Sequence, residues 1–167
     1  MAASNPSRQL LCLTMLGYKK PGLTEEELCS FQVCQHSQLV CGLMEKYGVV
    51  RYSITHNAAK PMNLLPRVFD PKYVEFSDYD FIVQIIIPNL DVFFALKEDP
   101  VYQERVAMDH LNFADRSSPS RKTRMSLGYV HEIIRDGKVV YVDAVEPECQ
   151  IYNNLLSDQG KFIAADA

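Results

Sequence analysis

"YDFIVQIII", Tyr79 to Ile87, is the stretch on which the fold turns. Its β-branched and aromatic content reads as a strand. Side chains alternate across a strand, so Phe81, Val83, Ile85 and Ile87 share one face and Ile82 and Ile86 the other. A strand apolar on both sides lies inside a sheet that needs cover on each face.

The surrounding chain supplies partners for it. Upstream, "LLCLTMLGY" (Leu10 to Tyr18) is a strand closed by the turn "KKPG". Thr24 then caps a helix, with Glu27 three residues on completing a capping box. Glu25, Glu26 and Glu27 suit the positive end of the helix dipole. The helix is predicted to run to about Tyr47, where Gly48 supplies a left-handed residue. "VVRYSITHN" follows as a strand with Val50, Tyr52, Ile54 and His56 on one face.

From Ala58 to Ser77 the prolines at 61, 66 and 71 imply a long ordered loop. Leu64, Leu65, Val68 and Phe69 are predicted to pack there and to border a pocket. After Asn89 a helical stretch breaks at Asp99-Pro100 and resumes to about Phe113. "MSLGYVHEIIRDGKVVYV" then carries a last core strand and a hairpin signal, with Asp136-Gly137 at the turn.

The order is strand, helix, strand, strand, helix, strand. That is an α+β, ferredoxin-like split βαβ arrangement with an extra C-terminal hairpin and tail. It is read as a single domain over residues 1–167, with a core over about 10–134 and an extension over about 146–167. Two helices cover one face of such a sheet, so the other face predicts a two-fold homodimer.

Bulk properties narrow the function. A net charge of −4 argues against nucleic acid, which rewards a basic face. No apolar run approaches the length that crosses a bilayer. The opening "MAASNPSRQ" has no apolar signal core, which predicts a cytoplasmic chain. Five cysteines, an odd number, read as free thiols and small buried hydrophobes. Cys34 and Cys41 stand about 10 Å apart along a helix, too far to share one ion with His36. No G-x-G-x-x-G, phosphate loop or G-x-S-x-G elbow is present.

The four histidines fall in four elements: His36, His56, His110 and His131. His36 lies on an apolar helical stripe with Val33 and Val40, and His131 alternates with Met125, Leu127, Tyr129 and Ile133. Such histidines either hydrogen-bond within a core or meet a ligand. His110 follows Asp109, a pair read as a surface or capping contact. A cavity between helix and sheet would collect His36, Tyr52, Tyr129 and His131, and imidazole suits proton transfer near neutral pH.

"KKPGLTEEEL", followed twelve residues after Thr24 by His36, resembles the start of an EthD-type dimeric α+β barrel domain. "FFALKEDPVYQERVAMDHLNFAD" is similar to that family's second helical region, and the resemblance spans roughly Leu10 to Ile134. One departure is "HSQLV", where family members often continue the histidine with Gly-Pro. The larger form resembles fungal EthD proteins of aromatic polyketide pathways. The resemblance implies a cofactor-independent decarboxylase, a lyase, acting on an aromatic polyketide acid. Cyclisation, dehydration and cofactor-free anthrone-type oxygenation need the same parts. A non-catalytic carrier of a hydrophobic metabolite is the rival from a different class. The residues expected at the site are His36 and His131 for catalysis, and Tyr52, His56, Phe69, Phe94 and Tyr129 against the substrate. No metal is expected.

Overall fold

The structure, a computed structural model, describes residues 9–140. The chain divides into two compact units, one ending at Val130 and the other beginning at His131. The expected extension over 146–167 lies outside the described residues.

In the first unit, β1 (Leu11–Gly17), β2 (Arg51–His56), β3 (Phe81–Ile87) and β4 (Arg124–Tyr129) form one antiparallel sheet in the order β2-β3-β1-β4. This is the ferredoxin-like order. β3 sits between β1 and β2, as an Ile-rich strand should. Register places Leu13 opposite Ile85 and Leu127, and Tyr52 opposite Ile85. Directly paired residues share a face, so the side bearing Phe81, Val83, Ile85 and Ile87 also carries Leu13, Met15, Tyr52, Ile54 and Met125. This is the core face: Leu13, Phe81, Val83, Ile85 and Ile87 are buried in one cluster with Leu28 and Phe113 from the helices. The opposite side mixes Leu16, Ile82 and Ile86 with Thr14, Gln84, Ser53 and Thr55.

One glycine is fixed by packing. Gly17 lies opposite Phe81, and a Cβ at Gly17 would stand 2.3 Å from that ring. A side chain there would force the Phe81 ring to shift.

The first helical segment begins as expected. Thr24 Oγ1 accepts from the Glu27 N–H at 3.1 Å, and the Glu27 carboxylate accepts from the Thr24 N–H at 2.8 Å. Such a cap contributes about 1 kcal/mol. It opens α1 (Glu25–Ser30), which passes through a π-helical segment (Phe31–His36) into α2 (Ser37–Lys46). The π turn changes which residues face inward. Leu28, Gln32, His36, Val40 and Leu43 are buried, whereas Val33 is exposed. Their near four-residue spacing is longer than the 3.6 of an α-helix and suits the wider π turn. The expected stripe of Val33, His36 and Val40 is therefore corrected at Val33. Cys29, Cys34 and Cys41 lie on the exposed side, so the expected burial of these thiols is corrected too.

Between β2 and β3, residues 58–77 form α3 (Ala59–Met62) and a short 3-10 turn (Leu65–Arg67). Leu64, Val68 and Phe69 are exposed, against the expectation that they pack. The prolines keep this segment short-turned at the surface, without the periodicity that would turn an apolar face inward.

After β3, Asn89 caps α4 (Leu90–Glu98), and a second π-helical segment (Tyr102–Val106) leads into α5 (Ala107–Phe113). The break at Asp99 is held by a buried carboxylate that accepts from Lys46 Nζ at 2.7 Å, Tyr47 Oη at 2.8 Å and the Val101 N–H at 2.8 Å. The Lys46 and Tyr47 hydrogen bonds pull its pKa down to about 2. Asp99 thereby ties the end of α2 to the start of the second helical pair.

The second unit shows β5 (Ile134–Arg135) and β6 (Lys138–Val139), joined at Asp136 and Gly137. Both turn residues have positive φ, 51° and 73°, as a two-residue hairpin turn requires. Among the described residues this hairpin pairs Ile134–Arg135 with Lys138–Val139, while Met125–Tyr129 pairs with β1.

Candidate functional site

The helices and the core face of the sheet enclose a cavity of about 390 Å³, built entirely from the first unit. That volume lies in the usual range for small-molecule sites, about 300–1,000 Å³. Its walls are mostly apolar: Met15, Val83 and Ile85 from the sheet, Val40, Leu96 and Phe113 from the helices. Among them stand His36, His110, Tyr52, Tyr102 and Gln32, with Lys97 and Arg116 also on the lining.

His36 is 4% exposed and closes the first π segment. Its Nδ1 lies 2.7 Å from Asp109 Oδ2, across from α5. The carboxylate accepts the Nδ1–H and leaves Nε2 as the nitrogen open to a ligand. Asp109 is itself fixed, because Asn112 Nδ2 donates to its other oxygen at 2.9 Å. His110 is the neighbour of this pair, with ring centroids 5.1 Å apart. Burial pushes the His110 imidazole below its ordinary pKa, and nearby His36 pushes it the same way. His110 is thus neutral at pH 7. Burial also raises Tyr52 to about 12 and raises Tyr102, so both phenols stay protonated and can donate. Lys97 and Arg116 are exposed and have no carboxylate partner among the described residues. Together these groups can draw in an acidic molecule, hold it between apolar walls, and exchange a proton with it.

The structure brings His36 and Tyr52 together, as the sequence suggested. The strand expected to carry His131 stops at Tyr129, and His131 opens the second unit as an exposed residue outside any strand. Alternation ended two residues earlier than the apolar pattern implied. Tyr129 lies on the core-facing side of β4 but on its exposed final position, and Met125 of that strand lines the cavity instead. Phe94 is 56% exposed, and its neighbour Phe93 is the ring on the cavity wall. Phe69 is 50% exposed on the 58–77 segment, which contributes nothing to this wall. His56 borders a second recess with Lys19 and Asp80, and reaches the first cavity only through Gln32.

Asp109, His110 and Gln32 were missed from the sequence, and so were Lys97, Tyr102 and Arg116 on the lining. The adjacent Asp-His looked like a surface pair. Yet Val106, His110 and Phe113 follow the i, i+4, i+7 spacing of an inward stripe, and that signal was available. Among the described residues, no group of three His, Cys, Asp or Glu is arranged to hold a metal ion. Nor is any described helix long and apolar enough to cross a membrane.

A buried imidazole held by a carboxylate thus stands on the wall of a mostly apolar pocket, on a ferredoxin-like sheet. The family follows from comparison. A family model described as the EthD domain matches residues 20–117, and this chain belongs to that family. The chain is 42% identical over 139 residues to the conidial pigment biosynthesis dehydratase EthD of Metarhizium robertsii, covering 83% of this chain and 95% of that protein. It is 44% identical over 134 residues to the dehydratase aurZ of Gibberella zeae, with 80% and 86% covered. The decarboxylase claH of Passalora fulva matches at 39% over 130 residues, with 78% and 82% covered.

Proposed function

We propose that this chain is a polyketide-tailoring lyase that removes carbon dioxide from an aromatic polyketide carboxylic acid by proton transfer at His36. His36, buried on the cavity wall and held by Asp109, carries this reading. Lys97 and Arg116 attract the carboxylate to the cavity. Protonated His36, held through Nδ1 by Asp109, gives its Nε2 proton to the ring carbon that bears the carboxylate. The bond to the carboxylate then breaks, its electron pair restores the aromatic ring, and carbon dioxide leaves. Neutral His36 regains a proton from solvent. Tyr52 and Tyr102, both protonated, hydrogen-bond to oxygens of the substrate.

Loss of water is a second reading, and the pairing of two imidazoles favours it. Elimination needs one group to take a proton from carbon and another to give one to the leaving hydroxyl. His36 and His110 stand with ring centroids 5.1 Å apart, close enough to act on one substrate, and two relatives above 40% identity carry the name dehydratase. Single-turnover mixing with candidate polyketide acids, followed by mass spectrometry, decides between them. Loss of the mass of carbon dioxide supports decarboxylation and loss of the mass of water supports dehydration. An unchanged mass with every acid that binds removes both and leaves a carrier.

The homodimer belongs to the same proposal. Leu16 and Ile82 lie half-buried on the sheet face away from the helices, and a second copy would cover them. Light scattering at micromolar concentration should report twice the mass of the chain. A single-chain mass throughout that range would remove the dimer.

A further inference from the structure

One polar group on the cavity wall has no task in the chemistry above. Gln32 is 1% exposed and sits one turn before His36 on the π segment. Its Oε1 accepts from His56 Nε2–H at 2.8 Å. Its Nε2 is buried and has no hydrogen-bond partner, and it is the sole buried side-chain nitrogen or oxygen in that condition among the described residues. Buried polar groups in folded proteins are nearly always paired, so an unpaired one calls for a partner. Here the unpaired amide belongs to a residue that lines the cavity.

The local structure holds the residue firmly in place. The Gln32 backbone carbonyl accepts both the Ser37 N–H and Ser37 Oγ–H, the latter at 2.7 Å. That double contact anchors the π turn, whose wide spacing puts Gln32 and His36 on one inward face. His56 enters from β2 on the other side. Burial lowers the His56 pKa, which favours the neutral ring with one N–H. With that N–H on Nε2, donated to Oε1, the amide is orientated with its two N–H groups away from His56.

We propose that Gln32 Nε2 donates a hydrogen bond to a carbonyl or phenolate oxygen of the bound aromatic substrate, and that His56 is the positioning residue that aims it. The ligand class is thereby narrowed to polycyclic aromatics that carry an acceptor oxygen on the ring system. In the decarboxylation or dehydration above, such an oxygen receives electron density as the neighbouring carbon reacts, and a preset donor stabilises it. The inference rests on the reading that this cavity is the ligand site.

A matched pair of probes tests it: anthraquinone-2-carboxylate, which has ring carbonyls, and anthracene-2-carboxylate, which lacks them. Calorimetry on the full chain should show wild type favouring the quinone. In Gln32→Leu that preference should fall by about tenfold, the worth of one hydrogen bond, with little change for the anthracene acid. The infrared carbonyl band of the bound quinone should shift to lower frequency in wild type and return in Gln32→Leu. Gln32→Glu keeps the volume and serves if the leucine variant does not fold; it presents an acceptor and should reverse the preference. His56→Phe should lose the band shift, and His56→Gln, which retains an N–H donor, should recover part of it. Binding of both probes with unchanged preference and band in the folded Gln32 variants overturns the role of Gln32 and spares the cavity. Binding of neither probe to wild type overturns the cavity reading and this inference with it.

Discussion

Replacing His36 by glutamine should lower turnover by about 10² to 10⁴, the usual span for a positioned acid or base. The variant should still fold, because the glutamine amide can donate to Asp109 in place of Nδ1–H. What it cannot do is accept and release a proton near neutral pH. His110→Gln tests the neighbouring ring in the same way. If both imidazoles serve one step, the double variant should lose far less than the product of the single losses, because groups acting as a unit are not additive. A structural role would give the opposite pattern: a lower melting temperature with activity per folded molecule preserved. Wild-type turnover in a folded His36→Gln protein would end the proton-transfer assignment and leave the cavity as a binding site.

The sheet was legible because its signal is local. Alternation in Phe81–Ile87 and the capping box at Thr24 each report on a few consecutive residues, and the structure keeps both. His36 and Tyr52 were legible for the same reason, since each lies on the inward face of a regular element. What escaped depends on departures from regular geometry. A π turn in the first helix moves Val33 outward and brings Gln32 inward, and nothing in an apolar count at 3.6 spacing shows that shift. The last core strand was expected to reach His131 because the apolar pattern continues past Tyr129, where β4 ends. Asp109 required knowledge of two helices at once: its role exists only because α5 packs its third residue against the end of the first π segment, 73 residues earlier. Phe94 and Phe93 differ by one position on a helix, and a boundary error of one residue is enough to exchange wall for solvent.

Asp109→Asn should cost nearly as much as loss of His36 itself, about 10² to 10⁴ in turnover, by a different route. Asn112 Nδ2 donates to Asp109 Oδ1, and an asparagine at 109 would keep its carbonyl oxygen on that donor. Its amide NH₂ would then face His36 Nδ1, which must become an acceptor and send its proton to Nε2. The ring would carry the wrong tautomer towards the cavity, and His36 would lose the carboxylate that accepts its Nδ1–H. Nitrogen-15 spectra of His36 should show the tautomer change directly. Adding Asn112→Ala removes the donor that orients the amide, so the side chain at 109 can turn its oxygen to Nδ1–H. Part of the lost activity should then return, together with the original tautomer. If the role of Asp109 were only to hold the two helices together, the second substitution would weaken that contact further and activity would fall again. Recovery in the double variant therefore assigns Asp109 to the tautomer and charge of His36, and a further loss without a tautomer change assigns it to packing.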